Sequence, residues 1–328
     1  MEQRPDFSQE EGEMQSSPHT ILTLAIDAGG TFLKGCLLDQ GILLPDTFVQ
    51  QPSRSEAEAE EIIQGLTDLC MHMVERYLAA ADSEQRVQFR IGVAFPGPFD
   101  YEQGICLIQG LGKYEQLYGY NIRSLLREEL KKRAALQSDH KWMQNLLAAD
   151  ILFNNDATLF ALGVSRHYPT SKLLCLTLGT GLGSAFVSHR QIVQGRDGVP
   201  DNGMLYAERF EGIEVDSQFG RRGILALADR LQARSAQEDV HDLAIRAGND
   251  DRLAREVWNI YGDRLGRMLK PYVASFQPSH IFIGGQIVKS WQLFIEPLLQ
   301  VLSPERPIIQ VEDQVLEHVF YGIDMLFD

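Results

Sequence analysis

Four short stretches of this chain combine glycine, carboxylate and hydroxyl side chains at spacings that suit phosphate chemistry. In Asp27-Ala28-Gly29-Gly30-Thr31, two adjacent glycines let backbone N–H groups approach a phosphate and point at it. Asp27 is placed to hold Mg²⁺ directly or through water, and Thr31 adds a hydroxyl, the oxygen-rich mix that magnesium favours. An ordinary glycine hairpin beside an acidic residue is the competing reading. Leu178-Gly179-Thr180-Gly181-Leu182-Gly183 places glycines at 179, 181 and 183 around Thr180, which is poor in packing value and costly in backbone entropy unless a ligand uses it. Gly284-Gly285-Gln286 would let a flat ring or a ribose approach the backbone, or serve as a plain turn. In Asn155-Asp156, where a strand hands over to a helix, Asp156 is either the helix N-cap or a general base that takes a proton from an attacking hydroxyl, and the two roles are compatible.

The elements around these stretches are legible from periodicity. Apolar runs at Ile21–Ile26, Phe32–Leu38 and Ile42–Val49, separated by glycine turns, predict a β-meander. Ile62, Ile63, Leu66, Leu69, Cys70, Met73 and Tyr77 predict a helix from about Ser55 to Leu78. A strand at Val87–Phe95, stopped by Pro96-Gly97-Pro98, and a helix over about 121–136 follow. The pattern then restarts. Ile151–Phe153 reads as a strand handing over to a helix that ends near His167. Strands at Lys172–Leu178, Ser184–Ser188 and Gln191–Gln194 form a second meander. A long helix over 253–276, a strand at Ile281–Ile283, a helix from Gly285 to about Leu302, a strand at Ile308–Val311 and a closing helix over 316–327 complete the chain. Both long glycine stretches therefore join strand to strand. The second is thus no dinucleotide fingerprint, which needs a strand on one side and a helix on the other. The repeat predicts an α/β protein of two lobes with mixed sheets and a cleft between them. Residues 1–20 lack periodicity and are expected to be disordered. The first lobe is expected over 21–150, completed by the helix at 314–328, and the second over 151–313.

Bulk properties narrow the function. With 328 residues, 44% hydrophobic and 23% charged, the chain can bury a sizeable core. A formal charge of −15 argues against a nucleic-acid partner, which needs clustered Lys and Arg. No apolar run approaches the ~20 residues of a membrane span. No signal peptide is expected, so the protein reads as cytoplasmic. Cys36, Cys70, Cys106 and Cys175 are scattered without a C-x-x-C pair and predict neither a zinc site nor a disulfide framework.

In combination, Asp27-x-Gly-Gly-Thr, Pro96-Gly97-Pro98, Asn155-Asp156-Ala157, the 178–183 stretch, Ile283-Gly284-Gly285 and Tyr321-Gly322 resemble the ROK family of sugar kinases and sugar-responsive repressors. The resemblance covers about residues 21–328. It implies two actin-like, ribonuclease-H-like lobes and phosphorylation of a hexose or hexose derivative by MgATP. By the same resemblance, Asp27, Gly29, Gly30 and Thr31 form the first phosphate loop. Gly179, Thr180, Gly181 and Gly183 belong to the second, and Gly284 and Gly285 face adenosine. Asp156 is then the catalytic base, Asn155 bonds a sugar hydroxyl, and Gly97 lines the sugar side. The family also implies a homodimer or tetramer as the assembly to test.

Departures from the family pattern lie on the sugar side. The family's Glu-x-Gly-His element corresponds here to Asp201-Asn202-Gly203-Met204. Its cysteine-rich zinc element corresponds to Phe219-Gly220-Arg221-Arg222-Gly223-Ile224-Leu225-Ala226, which holds no cysteine. No zinc is expected, and two sugar contacts are missing. Asp201 retains one contact, and Gln109 and Lys113 in the 109–118 loop are candidate replacements. The leading expectation is a sugar kinase. A catalytically impaired sugar-binding regulator without a DNA-binding domain is the second, since twenty lead residues are too few for a helix-turn-helix. A phosphotransferase acting on a carboxylate or amide is the third.

Overall fold

The computed structural model describes residues 20–80, 87–136, 141–304 and 307–328, so the expectation for the first nineteen residues lies outside the described residues. Strands β1 (Thr20–Ala28), β2 (Phe32–Asp39) and β3 (Ile42–Pro52) form the first antiparallel meander. Helix α1 (Ala59–Ala80) follows and buries Ile62, Leu66, Leu69 and Met73 against the sheet, as its 3-and-4 spacing demands. It starts at Ala59 rather than Ser55, because the buried Ser55 hydroxyl donates instead to the Gly30 carbonyl at 2.6 Å. Strand β4 (Val87–Ala94) lies parallel to β1. A small hairpin, β5 (Phe99–Asp100) with β6 (Ile105–Cys106), leads to α2 (Ile122–Leu136), α3 (Lys141–Leu147) and β7 (Asp150–Asn154), which is parallel to β4.

The second half begins with α4 (Asp156–Ser165) and repeats the plan. Strands β8 (Lys172–Leu178), β9 (Leu182–Ser188) and β10 (Gln191–Ile192) form the second meander. A cleft-side excursion follows, with β11 (Arg209–Phe210), β12 (Ile213–Glu214), α5 (Val215–Phe219), α6 (Arg221–Arg230) and α7 (Val240–Gly248). Helix α8 (Arg252–Phe276), β13 (His280–Gly284), a 3₁₀ segment (Gln286–Leu293), α9 (Ile295–Val301), β14 (Ile308–Glu312) and α10 (Val315–Asp324) close the chain. The single helix expected after Gly285 is thus split. Pro297 in the first turn of α9 lacks an N–H and clashes with a preceding turn, so the α-helix starts at Ile295.

The two sheets have the same order, β3-β2-β1-β4-β7 and β10-β9-β8-β13-β14, three antiparallel strands followed by two parallel ones. One apolar core lies on the outer side of each sheet, under α1 and α2 in one and α8 in the other. A third core lies between the sheets, formed by α4 and α10 with Ala25, Cys36, Cys175 and Phe282. Helices α4 and α10 approach so closely that a Cβ on Gly163 would strike the His318 backbone and one on Gly322 the Leu159 backbone. That contact gives the Tyr321-Gly322 pattern its physical reason. All four cysteines are free and buried. Among the described residues, no helix is long and apolar enough to cross a membrane.

Candidate active site

The carboxyl ends of β1, β4, β7, β8 and β13 carry the candidate residues, the end of an α/β sheet where ligands collect. At the first loop, Ala28 pairs with Leu33 and the chain turns through Gly29, Gly30 and Thr31. Its carbonyls are consumed by hydroxyls: Tyr114 Oη donates to Gly29 O at 2.8 Å, and Ser53 Oγ and Ser55 Oγ each donate to Gly30 O at 2.6 Å. The Thr31 carbonyl accepts from Ser53 N at 2.9 Å. The N–H groups of Gly29, Gly30 and Thr31 find no acceptor among the described residues, which leaves them for an anion.

Asp27 stands at the end of β1, its side chain 21% exposed, with Lys34 Nζ at 3.7 Å across the strand pair. Burial pushes its carboxyl up to about 6, against the pull of Lys34 and Lys113, and the nearby Asp156 charge adds to the rise. Asp156 is the first residue of α4. The cap itself is Asn155, whose Oδ1 accepts from Ala157 N at 3.0 Å and Thr158 N at 3.4 Å, so the Asp156 carboxylate is free of that duty. Asp156 is exposed at the start of α4. Desolvation raises its carboxyl, and the Ala157 N–H and the Lys113 charge oppose the rise.

The second loop meets the same helix end. Leu178 pairs with Leu182, and a Cβ on Gly183 would lie 2.9 Å from Ala157 Cβ. The loop is braced from α5 and α6: Leu182 N donates to Asp216 Oδ1 at 2.9 Å, Arg221 N to Gly179 O at 2.8 Å, and Arg222 Nη2 to Asp216 Oδ2 at 2.9 Å. Gly220 lies flat on Thr180 and Gly181, with no room for a Cβ. Nothing approaches within 4 Å of where a Cβ on Gly179 would sit, so packing gives no reason for glycine there and access for a ligand does. Gly285, at φ +98°, rests on the Leu178 backbone, which brings Gly284-Gly285 against the second loop.

The sugar-side expectations divide. Gly97 lies beside Tyr101, 3.4 Å from its hydroxyl at the Cβ position, and Tyr101 accepts a long bond (3.4 Å) from Asn155 Nδ2. Tyr101 Oη donates to Phe95 O at 3.0 Å, and its hydroxyl pKa is raised by burial and by the Asp156 and Tyr206 charges. Tyr206, 42% exposed, lies within electrostatic range of Tyr101. Asp201 is exposed and lies beside Gly195, and among the described residues it forms no hydrogen bond to Asn155. Gln109 is exposed on its loop. Lys113 of the same loop lies over the first glycine turn, its stem 3.2 Å from the Cβ position of Gly30. A cavity of about 350 Å³ bordered by Thr23, Arg90, Arg166 and Asp324 opens at the start of β1, away from this cleft.

The sequence profile of the ROK family matches residues 23–306. The chain belongs to the ROK family. A curated relative, the glucokinase of Thermotoga maritima, is 24% identical over 304 residues, covering 84% of this chain and 85% of that protein. A β-glucoside kinase of Listeria innocua is 24% identical over 270 residues, covering 80% and 82%. Among solved structures, the ROK hexokinase of Thermus thermophilus superposes with a TM-score of 0.69 at 18% identity, over 92% of this chain and 96% of that one. The two-lobed, actin-like ROK fold expected from the motifs is the fold observed.

Sequence reasoning missed Tyr114, Ser53, Ser55 and Asp216, which brace the two glycine loops. Ser53, Ser55 and Tyr114 have one faint signal, polar residues in otherwise loop-like segments. Asp216 lies 34 residues from Leu182 and has none.

Proposed function

We propose that the protein is an ATP-dependent sugar kinase that phosphorylates a hydroxyl of a hexose or hexose derivative. Membership of the ROK family and its curated kinase relatives support phosphoryl transfer to a sugar. The observation that carries the site is convergence: the second glycine loop packs on the start of α4, where Asn155 is the cap and Asp156 lies within electrostatic reach of Asp27 at the first loop.

In this reading, Asp156 takes the proton from the acceptor hydroxyl as its oxygen attacks the γ-phosphorus. The bond to the ADP oxygen breaks, and ADP leaves with the charge. The free N–H groups of Gly29, Gly30 and Thr31 receive phosphate oxygens, and Gly179 to Gly183 approach the phosphates from the other lobe. Gly284-Gly285 lets the nucleoside lie on the backbone. Asn155 keeps an amide N–H for a sugar hydroxyl after its capping bonds and its long bond to Tyr101. The donor set suits magnesium: one half-buried carboxylate beside free N–H groups leaves coordination places for water and phosphate oxygens. Magnesium bound there through Asp27 would offset phosphate charge. Among the described residues, no three His, Cys, Asp or Glu side chains gather as ligands, which fits a cation that arrives with ATP. A cytoplasmic location and a homodimer or tetramer belong to the same reading.

The test is ADP formation with MgATP against a panel of hexoses, N-acetylhexosamines, β-glucosides and polyols. A rate that depends on one sugar supports the kinase and names its substrate. Binding of a sugar and of MgATP by calorimetry, with no turnover on any of the panel, would favour the regulator instead.

A further inference from the structure

Lys113 is a half-buried lysine whose loop is fastened at several points. Tyr114 N donates to Ser55 O at 2.6 Å, Tyr114 Oη to Gly29 O at 2.8 Å, and Gly112 N to Glu115 Oε1 at 2.8 Å. Tyr114 itself is fully buried and holds a left-handed backbone at φ 57°, so the turn that presents its neighbour is fixed by packing. The Lys113 stem lies over Gly30, and its charge acts on Asp27 and Asp156 together. Among the described residues it forms no ion pair, whereas Lys34, on the adjacent strand, stands 3.7 Å from Asp27.

A lysine on a mobile loop would be a solvated surface charge, since an ammonium is strongly hydrated on a flexible stem. Here the stem rests on the loop whose N–H groups have no acceptor among the described residues, and the ammonium lies in the field of both carboxylates. Filling that gap with a γ-phosphoryl group would give the cation the anion it lacks. We propose that Lys113 is a catalytic residue that touches the transferring phosphoryl group and offsets the charge developing on its equatorial oxygens. The proposal rests on the kinase reading above. Lysine in this role acts as a point charge, and a preorganised cation in a closing cleft is worth far more than the same charge in water. The placement over Gly30 assigns it to the phosphate and not to the sugar, which leaves sugar recognition to Asn155 and Tyr101.

The experiment compares Lys113→Met, which keeps the stem over Gly30, with Lys113→Arg, which keeps the charge. The expected result for Lys113→Met is a loss of kcat of roughly 10²–10³-fold. Unchanged thermal melting and a sugar KM within about 3-fold of wild type complete that expectation. Lys113→Arg should recover a measurable part of the rate. A sugar KM that rises while kcat is kept would overturn the proposal and make Lys113 a sugar contact. No change in either parameter would make it a surface residue and overturn it as well. Should the wild type turn over no sugar, the kinase reading fails by that measurement alone. Lys113 is then judged by calorimetry of MgADP with aluminium fluoride, a stand-in for the transferring group. Tighter binding by wild type than by Lys113→Met supports the contact, and equal binding rejects it.

Discussion

The two glycine loops occupy matching places in the two sheets and are built differently. The first hangs from hydroxyls, with Tyr114, Ser53 and Ser55 occupying the carbonyls of Gly29 and Gly30. Its one close neighbour above Gly30 is the flexible stem of Lys113. The second is wedged by backbone and by a carboxylate, with Gly220 flat against Thr180 and Gly181 and Asp216 accepting from Leu182. A side-chain clamp can give by a few tenths of an ångström, and a backbone wedge cannot. The first loop is therefore expected to tolerate small changes, and the second to be fixed in shape by the α5–α6 excursion. That excursion includes the stretch at 219–226, where the family pattern would put a zinc element and this chain has none. Here Arg222 pairs with Asp216 at 2.9 Å and Arg221 with Asp239 at 2.8 Å. These pairs are largely exposed and add little energy. The backbone contact does the positioning.

Substitution at the two loops breaks the comparison most sharply. Gly220→Ala drives a Cβ into Thr180 O and the Gly181 backbone, so a loss of about 1–3 kcal/mol in stability is expected, with weakened MgATP binding. Gly30→Ala meets only the Lys113 stem and is expected to change stability by less than about 1 kcal/mol. Thermal melting and nucleotide calorimetry on both variants check this; equal losses would erase the distinction.

Proton competition at the first loop sharpens it further. The Asp27 carboxyl titrates at about 6 in the folded chain against an ordinary 3.8, so the folded state holds the proton more tightly than the unfolded one. Its contribution to stability is full below about pH 4 and is lost as the pH rises through about 6. Magnesium needs the ionised form. The rise in melting temperature on adding Mg²⁺ with ADP is therefore expected to be larger at pH 8 than at pH 5, and Asp27→Asn is expected to lose that difference. A pH-independent shift would place the cation elsewhere.

The smallest effect concerns the hydroxyl clamp. Tyr114→Phe keeps the buried ring and removes one bond to Gly29 O, with an expected cost of about 1 kcal/mol in urea unfolding. A cost near zero would mean that the ring packing alone seats the loop.

Local signals made most of the fold readable. Both meanders, α1, α4, α8 and the strands between them follow from apolar periodicity, because each buries one face against its own sheet. The excursion from 209 to 248 did not, since its helices are short and several start from polar or charged residues, Asp239 capping α7 with Asp242 among them. At the site, Asp27, Asn155, Asp156 and the glycines were legible because each sits at an abrupt break in a strand. That the cap is Asn155, and not the Asp156 that the sequence suggested, was settled only by the bonds to Ala157 and Thr158. The clamps Tyr114 and Asp216 act across long sequence separations, 85 residues in the case of Tyr114 to Gly29, and periodicity holds no trace of them.

The central claim is that Asp156, at the start of α4, is the base. Its most direct measurement is the sugar-dependent rate of Asp156→Asn beside its calorimetric affinity for MgATP. The account predicts a kcat lower by roughly 10²–10⁴-fold, with the affinity for MgATP nearly unchanged. A variant that keeps the wild-type rate would contradict it.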